Sequence, residues 1–319
     1  MSIDLLRPKI TWKSFEQAYS DRVTQLEDWA IKKSEGKLRP EDLYIPTRLR
    51  RWDANGGVTR GVLTVLGGVD GQGKSFVKKH LATSAARAGL RVAMIDFEDP
   101  EAKTMDREIS NHTRIDSRKL GLANFNFDDL DRIFASLDEV RKWGANISYH
   151  TGLVGPIEIM EALETMEPKP DLVLLDYAQA LPEEENKTLE RTIAQLAWVA
   201  NVYAQAHNCG FVVFSQVKPE ISNRGHAAFW AAKKRDPEAF DISGFYPGPG
   251  TQDLAWSSAF GQRARCVGYI VRPGYYEIQL GKPGAVDNRL DIRFAKVTFG
   301  NAGLVELGFD GPTGRIYDL

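Results

Sequence analysis

Apolar positions recur with different spacings along the chain, and each spacing predicts an element. Over residues 12–34, WKSFEQAYSDRVTQLEDWAIKKS, the residues Phe15, Ala18, Val23, Leu26 and Ala30 fall near helical spacing with polar residues between them. This predicts an amphipathic helix that stops at Ser34, Glu35 and Gly36. Such a helix needs something to dock on, either its own core or a neighbouring subunit. The next stretch, GKLRPEDLYIPTRLRRWDANGGV, carries two prolines and Gly56-Gly57 and reads as a linker with short turns. From Gly61 the texture changes. Apolar runs at 62–66, 92–97, 172–176 and 211–215 predict strands, and periodic segments near 75–88, 99–110, 127–142, 156–166 and 187–207 predict helices between them. That alternation implies an α/β fold with a mostly parallel sheet covered on both faces. After about residue 266, CVGYIV, YYEIQL, LDIRFAKVTF and LVELGFD alternate with turn residues, which predicts antiparallel C-terminal strands continuing the sheet. The expected division is an N-terminal helix and linker, 1–44, and a single large domain, 45–319.

Composition narrows the class without naming a function. The chain of 319 residues has 41 Lys and Arg against 43 Asp and Glu, a formal charge of -2. It is long enough to bury a sizeable core without staples. Cys209 and Cys266 lack any C-x-x-C spacing, so neither a disulfide framework nor a thiolate zinc site is expected. The first residues lack a signal-peptide pattern and no apolar run reaches membrane-spanning length, which predicts a cytoplasmic protein with no membrane partner. Near-neutral charge excludes a uniformly basic coat but not a local basic stripe. Residues 217–252 supply one candidate: a long connection, rich in proline and glycine, that contains Arg224, Lys233, Lys234 and Arg235.

The strongest chemical signal is LTVLGGVDGQGKSFVKKHLA. Gly68, Gly73, Lys74 and Ser75 satisfy G-x-x-x-x-G-K-[ST] between a strand and a helix, with Asp70, Gly71, Gln72 and Phe76 completing the cradle. Glycines let the backbone wrap phosphates, Lys74 reaches the β and γ phosphates, and Ser75 places its hydroxyl on magnesium. The alternative is a glycine-rich turn with an incidental Lys-Ser. Asp176 closes the apolar run in DLVLLDYAQAL, where a buried carboxylate needs a partner such as a magnesium shell; a helix cap is the alternative. Glu98, just past the strand VAMIDF, is the candidate base that orients water, with Asp96 as the alternative. Asp99 is placed to cap the following helix, with Pro100 at its first position. Gln216, at the end of FVVFSQ, reads as a phosphate sensor feeding the long loop, or else as a surface glutamine.

Together these pieces resemble the RecA-like ATPase domain of DnaB-type replicative helicases. The resemblance starts at IPTRLRRWDANGGVTRGVLTVLGG and continues through Glu98 and Arg107, LLDYAQ at 174–179 and SQVKPE at 215–220. It resumes at QDLAWSSAFGQRARCVGYIV and FAKVTFGNAGLVELGF, spanning about 45–310. It implies a P-loop NTPase core that uses ATP or another NTP with Mg2+. The implied roles are phosphate contact for Lys74, magnesium for Ser75 and Asp176, base for Glu98, sensor for Gln216 and a place in the nucleotide-coupled network for Arg107. It further implies a hexameric ring, single-stranded DNA in the channel, 5′ to 3′ translocation during replication, and 12–34 as the linker helix that grasps a neighbour. Primase, a loader or a single-strand-binding protein are the implied partners.

Three departures qualify this expectation. Only about 45 residues precede the ATPase region, too few for the family's primase-contacting domain, which suggests a viral or mobile-element helicase working in a host cytoplasm. The family's Lys-x-Arg pair appears here as Lys296, Val297, Thr298, so the lysine remains a nucleotide-site candidate while the arginine position holds threonine. Arg293 or Arg315 is then a candidate substitute. Arg263 and Arg265 stand where acidic residues are common, and join Arg224, Lys233, Lys234 and Arg235 as DNA-contact candidates. Phe229 and Trp230 are candidates for base stacking or for burial in an amphipathic helix. The alternative functions are a RecA-like recombination or annealing ATPase and a DNA-binding loader with little unwinding.

Overall fold

Four runs, Val62–Gly68 (β1), Val92–Asp96 (β2), Leu172–Asp176 (β4) and Gly210–Gln216 (β5), form strands that are buried almost throughout. Their continuous apolar character suits a sheet covered on both faces. The structure, a computed structural model, describes residues 12–181, 188–218, 258–275, 288–298 and 303–319, with positions 220, 221, 227, 231, 234, 235, 253, 254 and 300. With Ile147–Thr151 (β3), Cys266–Val271 (β6), Arg289–Val297 (β7), Leu304–Asp310 (β8) and Arg315–Asp318 (β9), the strands make one sheet in the order β3-β2-β4-β5-β1-β6-β7-β8-β9. Pairing from β3 to β6 is parallel, and from β6 to β9 antiparallel. The expected mixed sheet is thus the observed one. Of the expected strand YYEIQL, all but its first residue, Tyr275, lies outside the described residues.

Two compact units divide the chain, Met1–Leu43 and Tyr44–Leu319. In the first, α1 (Phe15–Ser34) begins at Ser14, whose hydroxyl accepts the Gln17 N–H at 3.0 Å, and ends with Lys32 and Lys33 in its last turn. Phe15, Tyr19, Val23 and Leu26 are exposed. A short helix, α2 (Pro40–Leu43), closes this unit.

In the second unit, α3 (Arg50–Asp53) is followed by the long helices α4 (Lys74–Arg87), α5 (Glu101–Thr113), α7 (Phe127–Val140), α8 (Pro156–Thr165) and α9 (Leu189–His207), with α6 (Ser117–Gly121) between α5 and α7. Local chemistry sets their ends. A reciprocal Asn126–Asp129 capping box starts α7, Pro156 opens α8, and left-handed Asn208 stops α9. The helix expected from 99 begins at Glu101 instead. Pro100 is extended at the N-cap, and Asp99 turns to Arg107 rather than capping the helix.

The lead-in segment from Tyr44 is part of the core. Ile45, Leu49 and Trp52 are buried, and the Trp52 indole donates to Gly57 O at 2.9 Å while meeting Phe294 edge-on at 5.4 Å. Gly57 has φ +53, and a Cβ there would lie 2.5 Å from Ile45 O, so the turn requires glycine. Asp53 fastens the segment by accepting from Thr47 N at 2.7 Å, Thr47 Oγ1 at 2.8 Å and Arg48 N at 2.9 Å. The ring of His80, on α4, meets Thr47 O at 2.8 Å, which ties the segment to the helix behind the phosphate loop. Asp53→Ala should therefore destabilise the fold by about 2 kcal/mol, the cost of stranding buried donors. A lower urea midpoint at unchanged slope is the expected reading, and an unshifted midpoint would remove Asp53 from the framework.

Candidate functional site

Parallel topology brings the carboxyl ends of β1, β2, β4 and β5 to one edge of the sheet, where open α/β sheets form ligand crevices. Register does the alignment: Gly68 pairs with Gln216, and Asp96 with Asp176. The loop from β1 into α4 wraps this edge. Gly73 sits at the α4 N-cap with φ +98, a left-handed position that frees the helix's first N–H groups to face the cleft. Lys74, nearly buried, donates from Nζ to Gly68 O at 2.9 Å and Val69 O at 3.3 Å, with Asp70 Oδ1 at 3.5 Å. A cleft of about 250 Å³ is lined by the loop, Phe76, Glu98, Asp99, Arg107, Arg272 and Tyr275.

The two metal candidates, Ser75 and Asp176, are in contact. Ser75 Oγ donates to Asp176 Oδ2 at 3.1 Å, while Asp176 is 1 % exposed and its buried Oδ1 has no partner. A dry, unsatisfied carboxylate oxygen is costly, and a hydrated magnesium beside Ser75 would satisfy it. Among the described residues no cluster of three His, Cys, Asp or Glu forms a cage. Asp176 is not a helix cap.

Geometry separates Glu98 from Asp96. Asp96 is 1 % exposed, its Oδ1 accepts the Glu98 and Asp99 N–H groups at 3.2 Å each, and its Oδ2 meets Lys78 Nζ at 2.6 Å. It is a strut. Glu98 reaches the cleft, and its carboxyl is pushed above the ordinary carboxylate range, first by desolvation at the cleft floor and then by Asp176 and Asp99, with Lys74 opposing. Arg107 pairs with Asp99 on the same wall.

Gln216 is no idle surface residue. Its Nε2 donates to Asp70 Oδ1 at 3.1 Å, and its backbone N–H donates to Gln179 Oε1 at 2.9 Å. Gln179 in turn donates to Ser215 Oγ at 2.9 Å, so the end of β5 is tied both to the phosphate loop and to the segment after Asp176.

Three site residues were not singled out by the sequence. Arg272, just past β6, donates from its backbone to buried Gln72 Oε1 and from Nη1 to Gly71 O at 2.6 Å, and lies over Phe309 at 4.5 Å and Tyr275 at 4.8 Å. Tyr275 packs against Gly71, where a Cβ would lie 2.2 Å from its hydroxyl. Lys78 bridges Asp96 and Asp176, reaching the latter at 2.9 Å. Its four-residue spacing from Lys74, which puts both on one helix face, was the available signal.

Other candidates stand elsewhere. Lys296, on β7, donates to Gly261 O at 2.8 Å and does not line the cleft. Thr298 N and Oγ1 both donate to Arg265 O, at 2.9 and 3.0 Å. Lys234, Arg235, Arg263 and Arg265 are exposed. Arg224, Lys233, Phe229 and Trp230 lie outside the described residues.

The fold and the site define a RecA-like core carrying a P-loop. A family model, the DnaB-like helicase C terminal domain, matches residues 45–318, and the chain belongs to the DnaB-like helicase family. Its fold is similar to that of a DnaB-like replicative helicase described with its interactions with primase, at TM-score 0.74 and 18% identity, covering 99% of this chain and 70% of that one. The ATPase domain of G40P superposes at TM-score 0.76 and 19% identity, covering 97% of this chain and 100% of that one. The RadB recombinase is more distant, at TM-score 0.52 and 16% identity over 86% of this chain and 99% of that one. No curated protein matches the sequence. Among the described residues no helix is long and apolar enough to cross a membrane.

Arg272 holds the crest of the phosphate loop at two points, so Arg272→Ala should cost preorganisation. Affinity for a fluorescent ATP analogue should fall about tenfold, the range that one lost charged hydrogen bond accounts for. Unaltered affinity would show that the loop holds its shape without it.

Proposed function

We propose that the protein is an NTP-hydrolysing DNA helicase that assembles as a hexameric ring and moves 5′ to 3′ on single-stranded DNA during replication. The observation that supports this reading best is one cleft lined by Lys74, Ser75 and Glu98, with Asp176 bonded to Ser75 behind it and Gln216 bonded to its loop, in a chain of the DnaB-like family. ATP or another NTP is the substrate. Ser75 and Asp176 would hold magnesium, which when bound would offset the charge of the phosphates. Lys74 supplies a cation to the β and γ phosphates from the floor of the loop. Glu98 orients the attacking water and takes its proton, a role suited to a carboxyl whose pKa is raised toward the working range. Gln216 contacts the γ-phosphate side, and loss of that phosphate changes its bond to Asp70 and passes to the segment after β5. Arg107 keeps Asp99 from drifting toward the base.

In this reading nucleotides sit between subunits, with Lys296 reaching a neighbour's nucleotide. Helix α1 docks its exposed Phe15, Tyr19, Val23 and Leu26 on an adjacent subunit. Lys234, Arg235, Arg263 and Arg265, with Arg224 and Lys233, contact DNA phosphates. Primase, a loader or a single-strand-binding protein are the proposed partners, and the cytoplasm, a host's if the protein is viral, the proposed compartment. A second reading, a nucleotide-dependent loader with slow turnover, is favoured by Thr298, whose hydroxyl is engaged by Arg265 O where the family places a cation.

Unwinding of a forked duplex separates the two readings. Wild-type protein should unwind it with ATP; nucleotide-dependent DNA binding without unwinding would favour the loader. Lys74→Ala should abolish turnover, and Glu98→Gln should retain nucleotide affinity while lowering kcat by about 10² to 10³, the usual worth of a positioned base. Because the Glu98 pKa is raised, activity should be lost on acidification at a pH above that of an ordinary glutamate, and full activity returns only above that raised value. Wild-type turnover in Glu98→Gln would sink its assignment as base. Deleting residues 1–34 should reduce oligomer size by light scattering, and an unchanged oligomer would return α1 to docking within its own chain.

A further inference from the structure

The geometry points to Lys78 as a positioning residue that holds the metal-side carboxylate and the base-bearing turn in register; this rests on the nucleotide-hydrolysis reading above. Lys78 lies one turn beyond Lys74 on α4 and is 1 % exposed. Its Nζ contacts Asp96 Oδ2 at 2.6 Å and Asp176 Oδ2 at 2.9 Å, each on a residue likewise 1 % exposed.

Each carboxylate uses its second oxygen differently. Asp176 Oδ2 is shared by Lys78 and Ser75, which fixes the carboxylate plane and leaves Oδ1, buried and unpartnered, for a magnesium-bound water. Asp96 Oδ1 holds the backbone N–H groups of Glu98 and Asp99, and so shapes the turn that carries the base. One ammonium therefore sets two distances at once: that of the metal carboxylate from Ser75, and that of Glu98 from the phosphate loop. A lysine used only to neutralise charge would not need to sit on the phosphate-loop helix with both ends of the machinery in reach.

The test separates position from charge. The double variant Lys78→Met/Asp96→Asn removes one charge of each sign, leaving the triad's net charge at -1, and an amide oxygen can still accept from the Glu98 and Asp99 N–H groups. Asp176 loses its cation, so the variant should melt lower than wild type while staying folded at assay temperature, checked by circular dichroism, and should bind a fluorescent ATP analogue in EDTA within about threefold of wild type, because Lys74 is intact. Its Mn2+ affinity in the nucleotide complex, read by electron paramagnetic resonance, should fall about 10-fold or more, as when outer partners of metal ligands are removed. Lys78→Arg, which keeps the cation but not its length, should weaken Mn2+ binding in the same direction. A folded double variant with wild-type Mn2+ affinity and turnover would overturn the proposal. A wild-type protein that neither binds metal-nucleotide nor hydrolyses it would instead overturn the nucleotide-hydrolysis reading.

Discussion

Two carboxylates side by side in a dry sheet are the constraint on which this molecule depends. Parallel register puts Asp96 directly beside Asp176, both 1 % exposed, on neighbouring strands. Without a cation between them, at least one would take up a proton or the strand tips would part. Burial alone would strip the proton from Lys78, yet the two carboxylates outweigh that penalty and hold its pKa above the ordinary lysine value. The triad is therefore an ion cluster in which removing one partner is far costlier than the net worth of the contact, about 3–5 kcal/mol for a broken buried pair. Because the cation comes from α4, the helix is fastened across the sheet at the point where its N-terminus must face the phosphates. The helix of the phosphate loop, Asp176 and the turn that carries Glu98 meet at this one electrostatic knot.

Much of this architecture was legible from periodicity. The buried parallel strands are continuous apolar runs, and the helices between them repeat at helical spacing, so their existence and order followed from burial on both faces. What stayed hidden has physical reasons. Ile147–Thr151 alternates half-buried and exposed residues at the sheet edge and contains Ser148 and His150, so it offers no apolar run. Arg315–Asp318 is too short to show a period. Glu98 and Asp176 could be read from their places at strand ends, but Lys78 looked like one of three polar residues after Val77. Its spacing from Lys74 puts the two on one face of α4, but only the fold shows that this face is turned inward. Arg272 and Tyr275 were invisible for another reason: they follow β6, which lies beside β1 in space but about 200 residues away in the chain, and nothing in a linear sequence predicts a bond from position 272 to Gly71.

The hydrogen bonds around the end of β7 occupy the place where the resemblance puts two cations. The resemblance places a lysine and an arginine there, but in this chain Thr298 spends both its backbone N–H and its hydroxyl on Arg265 O, and Lys296 donates to Gly261 O. These three bonds close the end of β7 onto the segment that precedes β6. A threonine so engaged holds the strand end in place and brings no charge to a transferring phosphoryl group, where an arginine supplied in trans is worth about 10³–10⁵ in rate. Lys74, Ser75 and Asp176 come together within one chain, without a residue from β7. On the proposed reading, nucleotide binding rests on these three residues, and fast hydrolysis needs a further cation beyond them. Exposed Arg263 and Arg265 lie in the segment that Thr298 and Lys296 hold in place.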